Sequence, residues 1–259
     1  GGRPPGRIVF TGSQRSSDRG STDGTENLIA AVHWAAHGPT PTGENGDASV
    51  IIMHAGNDDG VCAVLPGCSS RKFHSSKRDA FQGINAQPIG TISVGRGGEC
   101  EIQVEAKAPT REVATEPIAF DEGKRILQLV AGSHMYADQI ELASNYDAIL
   151  FHGTGLGHLP IEDPNGDSPE NVAMRQAVAD YCANGGVAVM VTQCIHGPIH
   201  MDVYSKGREQ QDLGVLGNHA TTGPDAALVK LHFLLSTGQD VQSGWDANLC
   251  GENASSIFN

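Results

Sequence analysis

Residues 146–158 read YDAILFHGTGLGH. The apolar run at 148–151 has no polar break and stops at a Gly-rich loop, 153–158. A short apolar run bounded by a turn signal is the pattern of a strand, read here over 146–152. The flanks repeat it. Residues 125–130 read as a strand and 134–144 as a helix; 168–184 read as a helix and 187–192 (VAVMVT) as a strand. Helices over 222–236 and 240–248 follow. Strands alternating with helices specify α/β units on a parallel sheet.

Before this alternation lies a charged, loop-like stretch, 109–123, read as a linker. It divides the chain into 1–108 and 124–259. In the first part Ile8, Val9 and Phe10 form a short strand ended by Gly12. A helix is expected over 25–37, with Ser21 or Asp23 as N-cap and Leu28, Ile29, Val32 and Ala36 on one face. Pro39 and Pro41 stop it. Strands are expected at 49–53 and 61–65. Residues 91–107 alternate like an antiparallel hairpin turning at Gly95, Gly97 and Gly98.

Composition excludes several classes. The chain has 259 residues, enough for a sizeable core, and a net charge of −13. Its longest apolar runs, such as 186–191, fall far short of the roughly 18–20 residues that span a bilayer, so no membrane span is expected. The acidic balance opposes broad phosphate neutralisation, the usual basis of nucleic-acid binding. Of 17 basic residues 11 are Arg and 6 are Lys; few Lys among many acids suits a halophilic protein, because salt screens self-repulsion. The six Cys form no CxxC pair and no secretory h-region is present, so reduced thiols, buried as small apolar residues in a cytoplasmic protein, are expected.

Ligands of parallel α/β sheets bind at the carboxyl ends of strands. Four loops qualify: 12–19 (GSQRSSDR), 54–60 (HAGNDDG), 153–158 (GTGLGH) and 193–200 (QCIHGPIH). GTGLGH lacks the third Gly of a dinucleotide fingerprint. His196 and His200 have the spacing of a zinc pair, but Gly197 and Pro198 forbid the helix that pair needs, and no metal site is expected. Residues 71–81 (RKFHSSKRDAF) concentrate bases in a base-poor chain. They form either a solvated basic patch or a site with one buried Lys, whose charge can set a neighbour's protonation state. Composition does not choose which Lys.

Residues 10–27 (FTGSQRSSDRGSTDGTEN), 71–81, 153–159, 191–209 (VTQCIHGPIHMDVYSKGRE) and 227–235 (ALVKLHFLL) resemble the asparaginase family, and within it the archaeal glutamyl-tRNA(Gln) amidotransferase D subunits. The matches span nearly the whole chain in family order. The resemblance implies the C-terminal part of a larger parallel-sheet, three-layer domain over 1–108, followed by a smaller flavodoxin-like α/β domain over 124–259. The family's catalytic set is a Thr nucleophile in a Gly-Gly-Thr loop, a Thr-Asp pair and a Lys. Neither Gly-Gly-Thr nor Gly-Thr-Asp occurs in these residues. The family Lys stands nine residues before a Phe, which matches Lys72 and Phe81. The chain is therefore expected to be the later part of a longer protein and, alone, inactive.

The resemblance carries further expectations. Lys72 would be catalytic, with Lys77 and Arg78 structural. Ser13 would line the substrate pocket, and His158 would reach the substrate site of a neighbouring copy. Gly20 stands where the D subunits usually have Pro, and His152 where an acid is common. The implied activity is hydrolysis of glutamine or asparagine to supply ammonia, which the amidotransferase's E subunit, as partner, uses on Glu-tRNA(Gln). ATP and Mg would belong to that partner, with no cofactor in the present chain. A homodimer within a heterotetramer is implied. A stand-alone cytosolic asparaginase and a non-catalytic α/β binding or assembly module are the competing readings.

Overall fold

A computed structural model describes residues 7–39, 49–104 and 118–254. The chain divides into two compact units. The first runs to Ile118 and takes back Leu249–Glu252; the second contains Ala119–Asn248. Pro41 and residues 105–117, which hold most of the expected linker and the end of the expected hairpin, lie outside the described residues.

The second unit is built on three parallel strands, β8 (Ile126–Val130), β9 (Ala148–Gly153) and β10 (Val187–Thr192), in the order β10-β9-β8. Side chains alternate between two covered faces. Ile149, Phe151, Ala188 and Met190 join one cluster with Met174 and Val178 of α3 (Pro169–Ala183). Ala148, Leu150, Val189 and Val191 join another with Leu231 and Leu234 of α5 (Pro224–Thr237) and Trp245 of α6 (Val241–Asp246). Two buried faces explain why strands 148–153 and 187–192 read as unbroken apolar runs. Both α3 and α5 start with Pro, whose missing N–H would have no intrahelical partner there anyway.

The first unit carries a five-stranded sheet in the order β1-β2-β3-β6-β7. These strands are β1 (Ile8–Phe10), β2 (Ser49–His54), β3 (Val61–Pro66), β6 (Gly90–Val94) and β7 (Cys100–Val104), with α1 (Gly24–His37) packed on them. Pairing is parallel between β1 and β2 and antiparallel elsewhere, so the described part of this sheet is mixed. β4 (Ser70–Lys72) and β5 (Phe81–Gly83) form a separate ribbon. β1 stands at one end of the sheet among the described residues, with Ile8 and Phe10 exposed at 40% and 60%.

Several expectations are corrected. The face of α1 read as buried is mostly outside: Leu28, Val32 and Ala36 are exposed, while Asn27, Ala30, Ala31 and Trp34 are buried. The helix expected over 134–144 is one α turn, α2 (Asp138–Glu141), followed by a 3-10 turn at Leu142–Asn145. α4 (Ser205–Asp212) was not expected. Of the six cysteines only Cys62 is fully buried and Cys194 is exposed. Cys68 meets Cys250 where Leu249–Glu252 returns to the first unit, and there Ser69 Oγ donates to the Gly251 carbonyl at 2.6 Å.

Gly217 holds the segment beside β10 at φ +112°, where a Cβ would lie 2.5 Å from the Met190 carbonyl oxygen. Gly217→Ala should therefore cost about 2–3 kcal/mol, from left-handed strain and displacement of the Met190–Leu216 ladder. Chemical denaturation read at Trp245 checks this.

Candidate functional site

Three segments of the first unit converge around one buried carboxylate. Asp23 precedes α1 but does not cap it with its side chain; it faces the loop after β1. Its carboxylate accepts from the Gln14 N–H (2.9 Å), the Arg15 N–H (3.0 Å), Ser13 Oγ (3.1 Å) and Asn27 Nδ2 (2.9 Å). Burial opposes the charge, but these donors outweigh it and hold the Asp23 carboxyl below its ordinary range. Asn27 also donates to the Gly12 carbonyl (2.9 Å) and accepts from His54 Nδ1–H (2.7 Å). The tautomer follows from Asn27: both its N–H groups are used, so its oxygen faces the ring.

His54 ends β2, and its buried Nε2 lies 3.0 Å from Glu26 Oε2. Burial is the main reason the imidazole titrates below its ordinary value. Arg78 adds to that effect and Glu26 opposes it.

Ser13 itself is exposed and uses its hydroxyl inside this loop, within reach of Asp23 and the Arg15 carbonyl. Lys72 is the last residue of β4, paired in register with Phe81, and its side chain is exposed. Lys77 is exposed as well. The basic segment therefore contains no buried lysine. Its buried cation is Arg78, which donates to the carbonyls of Ser21 (3.0 Å), Thr22 (3.4 Å) and Asn57 (3.2 Å) and pairs with Asp59. Arg78 thus ties the ribbon carrying Lys72 to the loops after β1 and β2, a structural role. Among the described residues the buried lysine is Lys230 on α5, whose Nζ donates to the carbonyls of Trp245 (2.7 Å) and Ala247 (2.6 Å) at the end of α6.

In the second unit His158 closes the Gly-rich loop after β9. Its backbone pairs with Thr154 (3.0 Å), and Gly155 and Gly157 supply positive φ. The side chain is buried, stacks edge-on to Tyr204 at 5.5 Å, and leaves Nε2 without a hydrogen-bond partner among the described residues. Burial, helped by Lys206, lowers its pKa. The loop is held from behind by Gln210, fully buried on α4. The Gln210 amide donates to the Gly157 carbonyl (2.8 Å) and accepts from the Leu159 N–H (2.7 Å).

Sequence reading missed Asp23, Asn27 and His54 as one network, and Gln210 entirely. A buried polar residue in a polar helix gives no periodic signal. The one available hint was the clustering of Ser, Asp and Asn directly before α1. A second missed group joins His200, Asp202 and His219.

A family model described as asparaginase, N-terminal, matches residues 3–107, and one described as glutaminase/asparaginase C-terminal domain matches 125–243. The glutamyl-tRNA(Gln) amidotransferase D subunit of Thermoplasma acidophilum is 34% identical over 231 residues, 88% of this chain and 50% of that protein. The D subunit of Thermofilum pendens is 32% identical over 251 residues, covering 96% and 51%. That of Saccharolobus solfataricus is 33% identical over 252 residues, covering 95% and 52%. The chain spans about half the length of these curated relatives. Among solved structures, the thermostable L-asparaginase from Thermococcus kodakarensis superposes with a TM-score of 0.75 at 23% identity, over 98% of this chain and 70% of that one. At that identity the likeness concerns the fold.

Proposed function

The chain belongs to the asparaginase family, and from that membership we propose that it is part of the ammonia-producing subunit of a tRNA-dependent amidotransferase. The observation that carries the reading is the 32–34% identity to the amidotransferase D subunits across 88–96% of the chain, through both units.

The proposed reaction is hydrolysis of a glutamine or asparagine side-chain amide. A Thr hydroxyl attacks the amide carbon, an acyl ester forms as the C–N bond breaks, ammonia leaves, and water hydrolyses the ester to the carboxylate. A hydroxyl is a weak nucleophile and needs a proton acceptor. Lys72 is proposed to serve that proton transfer and to stabilise the developing charge. Its exposed place on a ribbon anchored by Arg78 leaves it open to groups supplied by the rest of the longer protein. Ser13 is proposed to line the pocket. His158 is proposed to present its unpartnered Nε2 to a second copy's substrate.

The ammonia would pass to the amidotransferase's E subunit, which activates the glutamyl group of Glu-tRNA(Gln) with ATP and Mg. Among the described residues no helix is long and apolar enough to cross a membrane. A cytoplasmic, salt-adapted protein assembled as a homodimer within a heterotetramer completes the proposal.

The test is ammonia release from glutamine. The 259-residue chain alone should give none above the buffer rate, because it contains neither Gly-Gly-Thr nor Gly-Thr-Asp. The longer protein should release ammonia, faster with the E subunit, Glu-tRNA(Gln) and ATP. Turnover by the chain alone refutes the division of the site. Turnover of asparagine indifferent to the partner favours a stand-alone asparaginase. A longer protein without the Thr loops favours a non-catalytic module.

A further inference from the structure

Two clusters of metal-ligating side chains occur among the described residues. One, Glu26, His54 and Asp59, has the Arg78 guanidinium bound to Asp59, where it opposes a second cation. The other has no such competitor. His200 and Asp202 sit in the loop after β10, and His219 in the segment that returns beside it. Their ligand atoms all lie within 4.8 Å of one another. Asp202 Oδ2 is 3.0 Å from His219 Nε2 and 4.0 Å from His200 Nδ1. A tetrahedral zinc with bonds of about 2.0–2.1 Å sets its ligand atoms roughly 3.3 Å apart, so small side-chain rotations bring the three onto one ion.

The surroundings orient these groups. Asp202 Oδ1 accepts from Gln211 Nε2 (3.0 Å) and Asn218 Nδ2 (2.9 Å), which leaves Oδ2 for the imidazoles. Asn218 Nδ2 also lies 3.0 Å from Gln211 Oε1 and 3.2 Å from His219 Nε2, the second a contact that a bound ion would replace. His200 Nδ1 is shielded from solvent without a hydrogen-bond partner among the described residues. The two loops are tied by Ile199 N–H to the Ala220 carbonyl (2.8 Å), His219 N–H to the Ile199 carbonyl (3.0 Å) and Met201 N–H to Asn218 Oδ1 (2.8 Å). His219 is held at φ +67°, an uncommon conformation for a residue with a side chain.

We propose that His200 Nδ1, Asp202 Oδ2 and His219 Nε2 form a binding site for a borderline divalent transition metal such as zinc. Two imidazoles and one carboxylate suit that class, and three protein ligands leave the fourth position to water. Gln211 and Asn218 hold the carboxylate in the orientation the ion needs. The ion cross-links the loop after β10 to the return segment. Because the His200 N–H also donates to the Leu156 carbonyl at 2.9 Å, the same cross-link stiffens the loop that ends at His158.

Calorimetric titration of the chelator-treated chain with ZnCl2, and visible spectra with CoCl2, test the site. One equivalent should bind, and Co2+ should develop the intense d–d bands of a four-coordinate ion. Asp202→Asn and His219→Asn should each weaken binding at least tenfold and remove the bands, whereas His134→Ala should change neither. Asn is chosen at 219 because it tolerates positive φ, and circular dichroism of each variant reports that it is folded. Absence of saturable binding below millimolar metal, or binding unchanged in both Asn variants, overturns the proposal and leaves an Asp202–His219 ion pair.

Discussion

Lys72→Ala in the longer protein should lower amide-dependent ammonia release by about 10²–10⁴-fold, the usual worth of a positioned proton-transfer group. Stability should change by less than about 0.5 kcal/mol, because an exposed side chain at the end of a short ribbon holds nothing together. Lys72→Arg should not restore turnover, since a guanidinium keeps its proton at any working pH. The check pairs a steady-state ammonia assay with denaturant unfolding. Near-normal turnover of Lys72→Ala would remove Lys72 from the mechanism. Loss of folding together with activity would make it structural.

Asp23→Ala should be the most destabilising single change in the first unit, by about 3–5 kcal/mol, the range for leaving the partners of a buried charge unpaired. The variant strands the backbone N–H groups of Gln14 and Arg15 and one Asn27 N–H, which itself orients His54. The sign with pH follows from the direction of its shift. The folded-state pKa lies below the ordinary Asp value of about 3.9, so this stability is complete above that value and is lost as pH falls through the folded pKa. The native protein should therefore lose stability steeply below pH ~4, and Asp23→Ala should show a shallower acid limb. Urea unfolding in a Trp245→Phe background isolates Trp34 as the reporter of this unit. A penalty under about 1 kcal/mol at pH 7 would show that water replaces the carboxylate at little cost.

β9, β10 and the helices packed on them were legible because the burial of these strands is apolar and two-sided, whereas the short ribbon of β4 and β5 was not foreseen. Residues 148–151 and 187–191 bury both faces, and the sequence there has no polar interruption. Where burial is polar or small, pattern misleads. α1 buries Asn27, Ala30 and Ala31 and leaves Leu28 and Val32 outside, the reverse of a hydropathy reading. α4 (SKGREQQD) buries Gly207 and Gln210, neither of which marks a periodic face. Gly207 is there because a Cβ would lie 2.3 Å from the Met201 carbonyl oxygen, a close approach that no local pattern encodes. The candidate site divides the same way. Lys72 could be singled out by spacing to Phe81 within a resemblance, because both lie in one ribbon. The triad of His200, Asp202 and His219 could not, since its third member is 17 residues downstream of Asp202 and joins through two irregular loops. The helical pairing of His196 with His200 was rightly set aside, since no helix forms there, but helical spacing offered no way to see that His200 meets residues of a later loop instead.

The open flank of β1 has a consequence for handling the chain in solution. Ile8 and Phe10 stand exposed beside a row of main-chain groups that no described strand satisfies, and α1 adds exposed Leu28 and Val32. Unsatisfied edges with apolar side chains recruit further strands. The net charge of −13 keeps copies apart at low salt. Raising salt removes that repulsion and strengthens apolar association. The same ions that would suit an acidic surface should therefore drive concentration-dependent self-association through this edge, and a charged substitution such as Phe10→Lys should suppress it.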